Sequence, residues 1–325
     1  MIVINADDQK SLVHMNEVIE QAEVALREFS ASRTITPIRS SLPFGGSQKT
    51  ALVMPSVAEQ LGTLGLKVVT VVPDNKKIGK KTINGVVMLF DFETGEPLAL
   101  LEASYLTVIR TGALSGVATK YLSCQDSKTL SIIGTGEQAK GLLEAVLAVR
   151  DIEKIVLYNR TEEKAHEFAE QVTEKFNKHV HVYTNPNEAV RVADIIVTAT
   201  SSSEPVFSES LRPGVHVNAV GSFRPTMQEL PSHVIFAADK VVVEARDAAL
   251  EETGDLQIPI QEGNFSERGI YAELGELVSG ERKGRESDQE ITVFKSVGIA
   301  IADIVVAKYL YEKAIKHHAG TRIQW

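Results

Sequence analysis

An apolar run, Leu130-Ser131-Ile132-Ile133, breaks at Gly134-Thr135-Gly136-Glu137-Gln138-Ala139. An amphipathic stretch, Glu137 to Arg150, follows, and then a second apolar run, Lys154 to Tyr158. Strand, glycine turn, helix and strand in that order form a parallel βαβ unit, the context in which spaced glycines signify dinucleotide binding. Gly134 permits the tight turn, and Gly136 lets a pyrophosphate approach the backbone. Ala139 replaces the third glycine and still allows helix and strand to pack closely. Free N–H groups at the helix start then bind phosphate. The same residues allow an ordinary βα turn as the alternative.

The end of the second strand bears on which dinucleotide. An NAD-binding fold usually places Asp or Glu there to bond the ribose hydroxyls. This chain has Asn159, Arg160 and Thr161. A guanidinium between two neutral hydrogen-bonding neighbours suits a 2′-phosphate, which a carboxylate would repel. The triplet therefore favours NADP(H), with NAD(H) as the alternative. It also fits a simple cap on the helix that begins at Thr161.

The remaining composition narrows the class. A chain of 325 residues is long enough for two domains with separate cores. Hydrophobic residues make up 43%, which argues against overall disorder. The net charge of −9 (34 basic, 43 acidic) argues against a general nucleic-acid or membrane-surface role. Cys124 is the only cysteine, so no internal disulfide can form. The N-terminus lacks the basic and apolar regions of a signal peptide, and no apolar run reaches membrane-spanning length. A soluble cytoplasmic protein is the expectation. Metal chemistry is not indicated, because the eight histidines are scattered and show no His-Glu-x-x-His spacing. Ser115 has the wrong glycine spacing for a nucleophile elbow.

Residues 10–30 read as one amphipathic helix, capped by Asp7 or Asp8. From about 35 to 108 the pattern becomes short strands: Thr36 to Leu42, Thr50 to Pro55, Leu64 to Val72, Gly85 to Asp91 and Pro97 to Glu102. Turn signals at Phe44 to Ser47, Pro73 to Asn75 and Thr94 to Glu96 separate them, so a mainly antiparallel sheet is expected. Thr107 to Leu122 reads as a helix. From 128 to about 245 strands alternate with helices in a doubly wound parallel pattern. Residues 257–290 look irregular apart from a short helix near Ala272 to Val278, and Ile299 to Ile315 reads as a closing helix that returns to the first domain.

Three basic residues lie within apolar segments of this acidic chain: Arg39, Lys67 and Arg110. A buried charge costs several kcal/mol unless it is paired. The partner is either an internal acid, such as Glu102, Asp91 or Glu93, or the carboxylate of a substrate. Arg supplies bidentate geometry for the second case.

Taken in order, these segments resemble the ornithine cyclodeaminase/mu-crystallin family over almost the whole chain. The resemblance rests on Pro37-Ile38-Arg39, Gly65-Leu66-Lys67, Gly95 to Ala99, Leu106 to Ala113 and Gly134 to Ala139. It continues through Ala193 to Ser202, Gly214 to Gly221, Glu252 to Leu256 and Phe294 to Gly298. It implies an α/β chain in which a Rossmann-type doubly wound sheet is inserted into a second, α+β domain. Residues 1–124 and 297–325 would bind substrate and dimerise through their sheet, and 125–296 would bind NAD(P). The implied partners are a small imino or amino acid and a second copy of the chain in a homodimer.

By this resemblance Arg39, Lys67 and Arg110 hold the α-carboxylate, Thr82 lines the pocket, and Lys67 and Arg110 are the catalytic pair. Asn159, Arg160 and Thr161 match an NADP(H)-binding triplet. Thr198, Ala199 and Thr200, with Ser296 and Val297, line the adenosine and nicotinamide ends. Thr111 and Val220 join Gly134, Thr135, Gly136, Glu137, Gln138 and Ala139 in the cofactor set. One departure matters. Cyclodeaminases carry Asp two residues after the glycine matching Gly221, and here Phe223 stands there. Phe cannot serve as base or charge partner for the distal amine of ornithine, unless another acid such as Asp255 takes the role. Phe223 suits the methylenes of a ring instead. The resemblance therefore implies NAD(P)H-dependent reduction of a cyclic imino acid, Δ1-pyrroline-2-carboxylate to L-proline or Δ1-piperideine-2-carboxylate to L-pipecolate. The alternatives are ornithine cyclodeaminase, an alanine- or opine-type dehydrogenase, and a nucleotide-binding protein without turnover.

Overall fold

The computed structural model describes residues 1–45 and 49–324; the turn expected at Phe44 to Ser47 lies in part outside them. The chain begins with β1 (Ile2–Ile4), α1 (Ala6–Leu12), α2 (Met15–Ser30), β2 (Ser40–Pro43), β3 (Thr50–Ala58), β4 (Thr63–Val71), β5 (Ile83–Phe90) and β6 (Pro97–Glu102). It continues through α3 (Ala103–Leu122), β7 (Thr129–Ile133), α4 (Glu137–Val149), β8 (Lys154–Tyr158), α5 (Glu162–Phe176), β9 (His179–Val182), α6 (Pro186–Arg191), β10 (Ile195–Thr198) and β11 (His216–Ala219). It ends with α7 (Ser232–Ala237), β12 (Lys240–Val243), α8 (Arg246–Glu252), α9 (Gly254–Gln261), β13 (Ile270–Glu273), α10 (Leu274–Ser279), β14 (Thr292–Lys295), α11 (Ala300–His317) and β15 (Thr321–Arg322).

Two compact units result: Met1–Arg110 with Gly298–Trp325, and Thr111–Val297. The division falls within α3, where the sequence reading puts it at 124. The expected helix over 10–30 is two helices. Asn5 caps the first, accepting from the N–H groups of Asp7 and Asp8, while the Asp8 carboxylate accepts from Asn5 N–H. Val13, with extended backbone, ends it.

In the first unit the strands run β15-β1-β6-β5-β4-β3-β2. The β2 to β6 pairs are antiparallel, as the close turn spacing requires. The short flanking strands β1 and β15 are additions to the sequence reading. Burial alternates residue by residue along β4. Lys67, Val69 and Val71 point to the buried face, with Met54, Val87 and Leu89 from the neighbouring strands. Helix α11 packs against β3, β4 and β5, and against α2.

The second unit holds an all-parallel sheet, β13-β12-β14-β11-β10-β7-β8-β9. Its order runs one way from β7 to β8 and β9, and the other way from β7 to β10, β11 and β14. That is the Rossmann-type doubly wound sheet, with its switch point between β7 and β10. Both faces carry aliphatic cores, so most strand residues are apolar and buried, while the edge strand β9 alternates exposed His179 and His181 with Val180 and Val182. The segment expected to be irregular holds α9 and β13 before α10. The Pro259 and Gly263 punctuation disguises it. Among the described residues no helix is long and apolar enough to cross a membrane.

Candidate active site

In the second unit the glycine turn follows β7 at the switch point. Gly134 has φ +97, and its N–H donates to the Tyr158 carbonyl (2.8 Å). A Cβ on Gly134 would lie 2.7 Å from the Ala199 carbonyl oxygen, which rules out a side chain. Gly136 differs. It is the N-cap of α4, no side chain caps that helix, and a Cβ there would meet nothing within 4 Å. The protein's own packing does not require that glycine, whereas a ligand approaching the backbone does. Ala139 is fully buried in the core beside Leu130 and Ile132. Gln138 Oε1 is buried and lacks a hydrogen-bond partner among the described residues. An open helix N-terminus, a turn without side chains and an orphaned acceptor fit a dinucleotide.

Asn159 closes the turn from β8. Its Oδ1 accepts Thr135 N–H (3.3 Å) and its Nδ2 donates to the Thr161 carbonyl (2.8 Å). Arg160 is exposed, and Thr161 is the N-cap of α5 without a side-chain capping bond. Parallel strands bring the other expected cofactor residues to the same sheet edge. Thr198 ends β10 and Ala199 and Thr200 follow it, Val220 follows β11, and Ser296 and Val297 follow β14. Thr111 lies buried in α3.

Sequence reasoning missed the acid that organises this edge. Glu229 is fully buried. Its carboxylate accepts Thr198 Oγ1–H (3.0 Å) and the N–H groups of Thr200 (2.6 Å), Gly221 (2.7 Å) and Ser222 (3.2 Å). Burial pushes its carboxyl upward; Lys295 opposes this and Asp255 adds to it. Asp255 cannot stand in for the acid absent at Phe223. It accepts the N–H groups of Glu229 and Leu230 and pairs with Lys295 (2.9 Å), all fully buried. Phe223 is half-buried, with the Arg224 guanidinium 5.6 Å from its ring centroid.

In the first unit the structure brings Lys67 and Arg110 together. Neither meets Glu102, Asp91 or Glu93, the internal acids offered as the alternative to a substrate carboxylate. Glu102 accepts the Ser104 and Tyr105 N–H groups at the start of α3, and Asp91 accepts from Glu93 and Thr94 in its own turn. Their partner is Asp303, fully buried in the first turn of α11. Its Oδ1 is 2.8 Å from Lys67 Nζ and 3.0 Å from Arg110 Nε. The Arg110 approach has ion-pair distance but not hydrogen-bond alignment. Lys67 also donates to Thr107 Oγ1 (2.7 Å). Burial pushes the Lys67 ammonium down to about 8; Asp303 opposes that, while Arg110 and Arg39 add to it. Arg39 is half-buried just before β2, close enough to be felt at Lys67. Thr82 precedes β5, its carbonyl accepting Val72 N–H (2.7 Å). A lone carboxylate in an otherwise apolar helix start, Ile299 to Ala307, was the available signal for Asp303.

Two cations against one carboxylate leave a buried positive excess, an environment suited to an anion. Among the described residues no group of three His, Cys, Asp or Glu side chains could hold a metal.

Comparison with known proteins extends these observations. The model of the ornithine cyclodeaminase/mu-crystallin family matches residues 2–318. A Delta(1)-pyrroline-2-carboxylate reductase of Bacillus cereus is 70% identical over 325 residues, covering 100% of both chains. The structure of Thermococcus litoralis Delta(1)-pyrroline-2-carboxylate reductase, in complex with NADH and L-proline, superposes with a TM-score of 0.95 at 40% identity, covering 99% of this chain and 100% of that one. An archaeal alanine dehydrogenase dimer with bound NAD gives a TM-score of 0.93 at 33% identity, covering 100% of this chain and 99% of that one.

Proposed function

The chain belongs to the ornithine cyclodeaminase/mu-crystallin family, and from that premise we propose that it is an NAD(P)H-dependent reductase of cyclic imino acids. The proposed reaction converts Δ1-pyrroline-2-carboxylate to L-proline, with Δ1-piperideine-2-carboxylate as a second substrate. The observation that carries this reading is the shared acid: Lys67 and Arg110 bring two charges to the one of Asp303. A substrate carboxylate completes the balance.

Arg110 and Lys67, with Arg39, anchor that carboxylate and so fix the ring. Such orientation contributes up to ~7–11 kcal/mol in well-aligned cases. When bound, a reduced nicotinamide supplies the hydride that the C=N carbon accepts. The ring nitrogen must carry a proton, and Lys67, at about 8, holds one within reach of neutral pH. Thr82 contributes to the pocket wall, and the Phe223 side chain has the apolar character that suits ring methylenes. Phe223 also disfavours ornithine cyclisation, since it offers no base to the distal amine.

The cofactor set is Thr111, the turn from Gly134 to Ala139, the triplet Asn159, Arg160 and Thr161, and the strand-end residues Thr198, Ala199, Thr200, Val220, Ser296 and Val297. NADPH is the proposed preference. The β8 end carries no carboxylate to repel a 2′-phosphate, and Arg160 is exposed to meet one. NADH is the competing cofactor. The proposed setting is the cytoplasm.

The proposed assembly is a homodimer formed through the open face of the first unit's sheet. Leu66, Val68, Val86 and Met88 line that face and remain half-buried or exposed, although their registers put them side by side. A contiguous apolar face of this kind signifies a partner.

The test measures NADPH and NADH oxidation with Δ1-pyrroline-2-carboxylate, in the parent and in Arg110→Ala. The parent should turn over, and the variant should lose most activity while still binding cofactor. A variant as active as the parent removes the anchor. Ammonia release from ornithine without net cofactor consumption replaces the reading with cyclodeamination.

A further inference from the structure

Asp303 belongs to neither the expected substrate set nor the expected cofactor set, yet it is the only acid paired with Lys67 and Arg110 among the described residues. Its two oxygens are used unequally. Oδ1 meets both cations, whereas Oδ2 is buried without a hydrogen-bond partner among the described residues. Lys67 has three N–H donors. One goes to Asp303 (2.8 Å) and one to Thr107 Oγ1 (2.7 Å), whose own hydroxyl is committed to the Ala103 carbonyl (2.6 Å). The third donor is left over. Arg110 is held on two sides. Its Nε faces Asp303, and its Nη atoms lie against Gly298, where a Cβ would come within 2.6 Å of Nη1. A salt bridge made only for stability would balance the charges and align both partners. Here one oxygen is shared, the Arg110 approach is unaligned and the charge is uncompensated.

We propose that Asp303 is the positioning residue of the carboxylate site: it sets Lys67 and Arg110 side by side and leaves their remaining donors for the substrate's carboxylate. It acts through the two cations and does not itself touch substrate. The groups facing Lys67 are Asp303 from α11, Arg110 and Thr107 from α3, and Arg39 from the segment before β2; its register partners Met54 and Val87 are uncharged. Asp303 is therefore the only anion in that set, and the Lys67 proton depends on it. This inference rests on the imino-acid reductase reading.

The experiment is the pH profile of kcat/KM for Δ1-pyrroline-2-carboxylate, measured on the full chain with saturating NADH for the parent, Asp303→Asn and Asp303→Glu. In Asp303→Asn the amide still accepts a hydrogen bond but brings no charge. Its kcat/KM should fall about tenfold or more, and the loss of activity with rising pH should begin at a lower pH than in the parent. NADH affinity, read by fluorescence titration, should stay at the parental value. Asp303→Glu restores the charge but shifts it by one methylene. Its pH profile should match the parent, with KM for the imino acid raised and kcat little changed. An Asp303→Asn profile that superposes on the parent's overturns the proposal. Should that variant not fold, a parental KM in Asp303→Glu overturns it equally. The parent's own turnover tests the activity reading separately: an active parent with indifferent variants refutes only the role of Asp303.

Discussion

Replacing Gly298 with Ala tests the anchor without replacing any charged group. Gly298 has φ +87, a conformation that costs an L-residue about 1–3 kcal/mol. The added Cβ would stand 2.6 Å from Arg110 Nη1, 2.9 Å from Nη2 and 3.2 Å from Cζ. Ordinary contact between such atoms is near 3.5 Å, so the guanidinium must retreat by somewhat less than an ångström. It is the far end of a long side chain and yields before the backbone does. The consequence therefore falls on function more than on folding. The retreat disturbs the 3.0 Å approach of Nε to Asp303 Oδ1 and misplaces the donors meant for substrate. A hydrogen bond to a charged group contributes about 1.5–3 kcal/mol. Losing one lowers kcat/KM for Δ1-pyrroline-2-carboxylate roughly ten- to a hundredfold. The assay is steady-state NADH oxidation over a range of imino-acid concentrations, with a thermal melt and an NADH fluorescence titration alongside. The loss should appear chiefly as a raised KM, with NADH affinity unchanged and the melting temperature lowered by a few degrees. Parental kcat/KM would refute the claim that the Arg110 position matters to catalysis.

Lys67 also predicts a pH dependence of stability. Its folded-state value, about 8, lies below the ordinary lysine range, so between the two the unfolded chain binds more protons. Its burial penalty is present in full below about 8 and is relieved as pH rises toward that range, at most about 1.4 kcal/mol per pH unit. Denaturant unfolding of the parent minus that of Lys67→Met should show this rising slope, and a flat difference contradicts it. Glu229→Gln turns an amide donor toward one of the N–H groups of Thr200, Gly221 or Ser222, an unsatisfied contact of about 1–3 kcal/mol. NADH affinity measured by fluorescence should fall about tenfold, and unchanged affinity dismisses Glu229 as the organiser of that edge. Leu66→Lys combined with Met88→Lys puts two charges on the open sheet face. Sedimentation should then report monomers where the parent gives dimers, and an unaltered species excludes that face as the interface.

Local signals were legible because their causes are local. The turn at Gly134, the helix start at Gly136 and the absence of an acid at Asn159 all lie within one strand–helix–strand stretch, where each residue's neighbours are set by backbone geometry alone. The antiparallel strands from β3 to β6 declared themselves by alternation and short turns, and the motifs in order gave the family. The charge partner of Lys67 could not be read this way. Asp303 is 236 residues away in sequence, on a helix whose pattern announces only an apolar face. The sequence showed that Lys67 and Arg110 required an anion and offered three nearby acids, of which the fold uses the Asp91 and Glu102 carboxylates in a local turn and at a helix start. Glu229 was hidden for the same reason: its value lies in loops that end different strands. Which residues carry charge and which turns can form are properties of the chain. Which charges meet is decided when the chain folds, because desolvation makes an unpartnered ion costly and only packing determines which partner comes within reach.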